Sequence, residues 1–212
     1  MHKTISNLNI IENILKEKVD TLPNIIAVSK TFPINEILPL INYGHKHFGE
    51  NKIQETIDKW SNVKNDNIKL HLVGKLQSNK TKLAVQIFDY IHSLDSEKLA
   101  NKIANEQVKQ NRKPKLFIQI NIGDEEQKSG IKKEDANKFY KYCKNLNLDV
   151  IGTMCIPPND SNYQKYFLEM NRINKELNLM DLSMGMSEDY LFAAQNNATF
   201  LRIGSKIFGQ RD

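Results

Sequence analysis

The sequence predicts an α/β protein, a single parallel barrel of eight β/α units with an N-terminal helix completing its outer ring. Three observations predict it. Short β-rich runs alternate with helical stretches along the chain, which is the pattern of parallel βαβ units rather than of a sandwich or a helical bundle. Eight such runs can be counted in the sequence, and eight parallel strands favour closure into a (β/α)8 barrel of the TIM type. At 212 residues the chain fits one large domain, and no glycine- or serine-rich linker or low-complexity segment divides it. Residues 1–212 are therefore read as one barrel domain.

Taken in order, the N-terminal stretch 1–18 alternates charge with apolar residues at helical spacing. It lacks the uninterrupted apolar run and small-residue cleavage site of a secretory signal, so it is read as a folded helix of a cytoplasmic protein. Strands are expected at 25–29, 46–49, 69–73, 90–93, 115–121, 149–154, 180–184 and 199–203, where β-branched and aromatic residues concentrate. Helices are expected between them at 35–43, 53–60, 79–88, 96–110, 133–144, 163–177 and 188–196, where apolar residues recur at steps of three and four. Pro33 and the Pro157-Pro158 pair follow strands, ending the extended segment without interrupting a helix. The last strand is followed almost at once by KIFGQRD, so the N-terminal helix must supply the eighth outer helix.

Composition excludes several classes. The longest apolar runs, such as 25–28, fall far short of the roughly 18 residues that span a bilayer, so no membrane role is expected. The net charge is +5 and the pI about 9.0, but 26 of the 30 basic residues are lysines scattered among acidic ones rather than clustered, which argues against nucleic acid. Cys143 and Cys155 form no CxxC pair and are expected to be ordinary free thiols.

In such a barrel the chemistry gathers at the C-terminal ends of the strands. Lys30 ends the run Ile25-Ile26-Ala27-Val28, so its amine is expected at the barrel mouth, where desolvation lowers a lysine pKa and exposes a nucleophile suited to Schiff-base chemistry. The competing reading is a solvated or salt-bridged lysine. Ser183-Met184-Gly185-Met186-Ser187 and Gly204-Ser205 fall in the loops after strands seven and eight, where barrels often bind phosphate. Ser187 alternatively caps a helix before Glu188. Arg202, one of four arginines, lies on the otherwise apolar FLRIG strand and needs either a salt-bridge partner or a ligand acceptor such as a pyridine nitrogen.

Six segments, AVSKT at 27–31, FGEN at 48–51, HLVGKLQSNK at 71–80, KSGI at 128–131, LSMGMSED at 182–189 and RIGSKIFGQRD at 202–212, together resemble the alanine racemase N-terminal-domain-like family of pyridoxal phosphate homeostasis proteins. The resemblance covers nearly the whole chain after residue 25. It implies pyridoxal 5′-phosphate as cofactor, Lys30 as its Schiff-base lysine, Ser183, Gly204 and Ser205 around the phosphate, and Arg202 at the pyridine nitrogen. Asn51 and His71 match positions facing the pocket. Phe32 stands where many members carry a second lysine; Lys75 either compensates for it or, the preferred reading, is an ordinary solvated lysine.

A racemase on this cofactor needs a base on each face of its substrate. In fold-related racemases the second base is a tyrosine from a second domain. None of the seven tyrosines here falls in a segment assignable to that face, and the chain ends at Asp212. With an arginine rather than a carboxylate at the ring nitrogen, this favours a carrier without a catalytic residue, which the resemblance implies is a monomer. It would store and protect the cofactor and deliver it to PLP-dependent apoenzymes. The alternatives are a weak amino-acid racemase, a Schiff-base aldolase, a regulatory interaction protein, or a metal-dependent hydrolase using His45 and His47, for which no carboxylate partner is evident.

Overall fold

The computed structural model describes residues 1–63, 65–160 and 162–210. Its sheet is a closed parallel barrel in sequential order, with the eighth strand pairing back to the first. The strands are β1 (Asn24–Val28), β2 (His47–Glu50), β3 (Lys69–Leu72), β4 (Tyr90–Leu94), β5 (Lys115–Ile120), β6 (Val150–Cys155), β7 (Asp181–Ser183) and β8 (Phe200–Ile203). Each lies within two residues of its expected bounds. Around them run α1 (Lys3–Lys18), α2 (Ile34–Tyr43), α3 (Ile53–Trp60), α4 (Thr81–Ile87), α5 (Glu97–Gln110), α6 (Ala136–Asn145), α7 (Tyr163–Glu176), α8 (Tyr190–Gln195) and the one-turn α9 (Ser205–Phe208).

The strands read as continuous apolar runs because both of their faces are covered. Alternate residues of β1 go to different cores. Ile25 and Ala27 join the large cluster between sheet and helices. Ile26 and Val28 join Phe117, Met154 and Phe200 in a smaller cluster, which fills the barrel as layered side chains do in this architecture.

The first helix buries Thr4, Leu8, Ile11 and Leu15, spaced by three and four. It packs against α2, α8 and α9, where Asn7 Nδ2 donates to the Ile207 carbonyl at 2.9 Å. This is the eighth outer position that the short C-terminal segment leaves to it. The four residues of α9 are too few to show a helical period, so sequence gave no sign of it. His45 lies outside β2, and a ring nitrogen contacts the His47 carbonyl at 3.0 Å, so the two histidines do not share a strand face. No helix of the described residues is long and apolar enough to cross a membrane.

Candidate functional site

Lys30 follows the end of β1 by two residues, and the loop carrying it is fixed on both sides. Ser29 Oγ donates to Glu50 Oε1 at 2.7 Å, and the Thr31 N–H donates to Glu55 Oε1 at 2.5 Å. Between those carboxylates sits Lys59 of α3, whose Nζ reaches Glu50 Oε1 at 2.9 Å, Glu55 Oε1 at 3.0 Å and the Ser29 carbonyl at 2.8 Å. Trp60 Nε1 also donates to Glu50 Oε1, at 3.1 Å. The side chains of Glu50 and Lys59 are 0% and 7% exposed, so this is a buried ion pair; the hydrogen bonds to Glu50 Oε1 offset part of the cost of desolvating it, while Oε2 is buried without a partner among the described residues. Burial pushes the Glu55 carboxyl up, but the Thr31 N–H and Lys59 outweigh it and hold the group below its ordinary value. Thr31 itself has φ of 69°, a costly conformation for a β-branched residue that persists because its neighbours over-determine it.

Lys30 opens into a cavity of about 740 Å³, within the range of about 300–1,000 Å³ usual for small-molecule sites. Asn51, Arg202, Gly204 and Ser205 line the same cavity, so five of the seven residues singled out in sequence come together. Asn51 is approached by Gly74, where a Cβ would lie 2.5 Å from the Asn51 carbonyl oxygen; only glycine lets the two loops pass. Val28, Val73, Ile156 and Met186 supply apolar wall. Phe32 lines it too and stacks on Phe208 with ring centroids 5.0 Å apart.

Ser183 and His71 are not among the lining residues. Both are fully buried and belong to the layer beneath. Arg202 donates to Ser183 Oγ at 2.7 Å and to the Cys155 carbonyl at 2.7 Å. Ser183 Oγ also lies 2.9 Å from His92 Nδ1, and His92 Nε2 lies 2.9 Å from His71 Nδ1. Of the partners considered for Arg202 from sequence, a salt bridge is not what holds it; these two neutral acceptors are. Burial lowers its guanidinium from its ordinary value, with Asp189 among the groups opposing this. Burial also keeps His92 and His71 well below the usual histidine range, reinforced for His92 by the charge on Arg202. The Cys155 thiol is pushed up to about 12 by burial, and both cysteines are free and buried.

Several residues at the site carried no sequence assignment. Lys128, from the KSGI segment, lines the cavity and donates to the Pro157 carbonyl at 3.2 Å. Gly130 with φ of +125° turns that segment back so that Ile131 can bridge Ile120. Lys75 lies in a different rim cavity with Asp95 and Lys98, so the second lysine facing the Lys30 cavity is Lys128. Ser187 is also in the wall, and its Oγ accepts from the Lys206 N–H at 3.3 Å. It does not cap α8, which follows Asp189. Tyr163, which sequence could not assign to a face of the site, lines the cavity as well and donates to Asn159 Oδ1 at 3.2 Å. Among the described residues no group of three or more His, Cys, Asp or Glu is arranged to hold a metal.

The family model "Alanine racemase, N-terminal domain" matches residues 5–212. A protein of Pasteurella multocida (strain Pm70) named pyridoxal phosphate homeostasis protein is 38% identical over 210 residues, covering 92% of this chain and 90% of its own. The structure of PipY of Synechococcus elongatus PCC7942 with PLP bound superposes with a TM-score of 0.87 at 32% identity, covering 97% of this chain and 100% of that one. An alanine racemase of Clostridium difficile 630 shares the fold, with a TM-score of 0.77 at 14% identity over 99% of this chain and 57% of that one.

Proposed function

The chain belongs to the alanine racemase N-terminal-domain family, and from that premise we propose that it binds pyridoxal 5′-phosphate in the Lys30 cavity and serves as a carrier of that cofactor. The observation that carries the reading is the donor set of one cavity. A lysine amine and a buried guanidinium rise from adjacent strands, β1 and β8, into a space walled by Val28, Val73, Ile156 and Met186 and rimmed by the hydroxyls of Ser187 and Ser205. A phosphorylated aromatic aldehyde needs these groups: an amine for its carbonyl carbon, donors for its phosphate, apolar faces for its ring.

In this reading Lys30 holds the cofactor covalently, Gly204 and Ser205 take the phosphate with Ser187 beside them, Arg202 donates to the ring nitrogen, and Asn51 closes the wall. Ser183 and His71, placed around the ligand by the sequence, act from beneath it. Bound, the cofactor supplies a reactive aldehyde and an electron-accepting ring. An arginine donor leaves that ring nitrogen unprotonated and the ring a weak electron sink, which suits storage better than turnover. The homologues named for homeostasis and the PipY structure with PLP bound support the cofactor. Residues 1–212 acting as one monomeric barrel domain in the cytoplasm, supplying PLP-dependent apoenzymes, belong to the same proposal.

One observation favours the racemase alternative. Tyr163 places a phenol in the cavity with Lys30, although its proton is directed at Asn159. The test is to load the protein with one equivalent of pyridoxal phosphate, then supply excess L-alanine in one experiment and a PLP-dependent apoenzyme in another. A carrier activates the apoenzyme and leaves the L-alanine unchanged. Accumulation of D-alanine beyond the protein concentration, abolished in Tyr163→Phe, would overturn the carrier reading in favour of the enzyme.

A further inference from the structure

A continuous line of hydrogen-bonded side chains crosses the barrel interior. From the cavity downward it runs from Arg202 to Ser183 Oγ at 2.7 Å, to His92 at 2.9 Å, to His71 at 2.9 Å and to His47 at 2.9 Å. At the far end His47 lines a separate cavity of about 400 Å³ on the opposite face of the barrel, with His45 and Lys46. The rings are held in plane by stacking, His92 on Phe117 at 4.3 Å and His71 on Tyr90 at 4.2 Å.

The direction of every bond follows from the first. Arginine has donors and no acceptor, so Ser183 Oγ accepts from Arg202. The serine proton then goes to Nδ1 of His92. That leaves the His92 proton on Nε2, donating to Nδ1 of His71, and the same logic puts the His71 proton on Nε2, donating to Nδ1 of His47. The opposite polarity aims two donors at the serine oxygen and leaves its own proton unpaired in a dry core, which is the costly arrangement. Burial keeps both inner rings neutral, and Arg202 at one end and Lys46 and Lys69 at the other oppose an extra proton, with Asp89 alone favouring one.

We infer that His92, His71 and His47 form a neutral chain of fixed polarity, all three as Nε2–H tautomers, that holds Ser183 as an acceptor and so positions Arg202 to favour a ligand whose ring carries a hydrogen-bond acceptor. The histidines are positioning residues, since none of the three lines the Lys30 cavity. The ligand half of this inference rests on the reading of the cavity given above; the tautomer half does not.

Two measurements test it. Imidazole 15N–1H spectra of the ligand-free protein at neutral pH are expected to show Nε2–H at all three histidines, with the single tautomer of His92 lost in Ser183→Ala. Nδ1–H or an imidazolium at His71 or His92 overturns the chain. Binding of pyridoxal phosphate is then compared with its analogue bearing carbon in place of the ring nitrogen. Wild type is expected to prefer the nitrogen compound about tenfold, the worth of one hydrogen bond to a charged donor. The preference should collapse in Ser183→Ala and His92→Leu and return in His92→Gln, whose amide can accept from Ser183 and donate to His71. A purely structural role weakens both ligands equally, so an unchanged ratio in those variants overturns the positioning claim. Wild-type protein that binds neither compound overturns the cavity reading instead, and the tautomer spectra then decide the chain by themselves.

Discussion

Lys30 and Arg202 face one cavity from neighbouring strands, yet they are held in opposite ways. The Lys30 loop is gripped from outside the barrel by charge: Glu50, Glu55 and Lys59 bind its backbone and Ser29 through short, charge-assisted contacts. Arg202 is gripped from inside by neutral groups, a hydroxyl and a carbonyl, with a line of imidazoles behind the hydroxyl. The difference follows from where each grip lies. Between sheet and helices an ion pair can be completed by several hydrogen bonds, which offsets desolvation. In the barrel interior the hydrogen-bond partners of Arg202 are a hydroxyl and a carbonyl, neutral acceptors that fix the guanidinium without cancelling its charge.

The contrast predicts different responses to perturbation. The largest belongs to the charged grip. Glu50→Ala leaves Lys59 with Glu55 as its remaining carboxylate and takes the acceptor from Ser29 Oγ and Trp60 Nε1, and it is expected to cost about 3–5 kcal/mol, read as a shift in the urea unfolding midpoint with unchanged slope. A loss below about 1 kcal/mol, the size of an exposed pair, would mean that the grip is not buried in solution.

The neutral grip predicts a pH dependence. His71 and His92 are held well below the usual histidine range by burial, and His45 is lowered to about 4. Their folded values are depressed while the unfolded chain takes up protons near 6.5, so folding stability is complete above that pH. It is lost as pH falls below it, for His45 through the window from 6.5 to about 4. Each histidine contributes a slope of about 1.4 kcal/mol per pH unit. Denaturant titrations between pH 8 and pH 5 should show this loss, and a shallower slope in His92→Gln; equal slopes in the two proteins would remove His92 from the account.

Ser183→Ala takes away the hydroxyl between Arg202 and His92 and is expected to cost about 1–3 kcal/mol, measured by the same unfolding titration. The smallest effect is at the rim. Phe208→Ala removes the stack on Phe32, worth about 0.5–1.5 kcal/mol beyond burial, and a thermal melt should register it without loss of the barrel's circular dichroism.

The same contrast explains what could be read from sequence. Strand positions were legible because parallel strands covered on both faces are apolar throughout, and the rim residues Lys30, Asn51, Arg202, Gly204 and Ser205 were legible because they end or follow strands. Depth was not. A period of two tells inward from outward but not which layer of the barrel a side chain fills, so His71 and Ser183 were assigned to the pocket when they lie one layer below it. The two grips were illegible because their contacts join residues 21 and 91 positions apart, as between Ser29 and Glu50 or His92 and Ser183. Lys128 escaped for a related reason: its segment folds back over the rim through the turn at Gly130.

The central claim is that the amine of Lys30, rather than any other of the 26 lysines, takes the cofactor. The measurement is borohydride reduction of the protein mixed with one equivalent of pyridoxal phosphate, followed by peptide mass mapping of wild type, Lys30→Ala and Lys128→Ala. A single adduct on the peptide bearing Lys30, retained in Lys128→Ala and absent in Lys30→Ala, is the predicted result. Adduct at Lys128 in the wild type, or spread across surface lysines without preference, would contradict it.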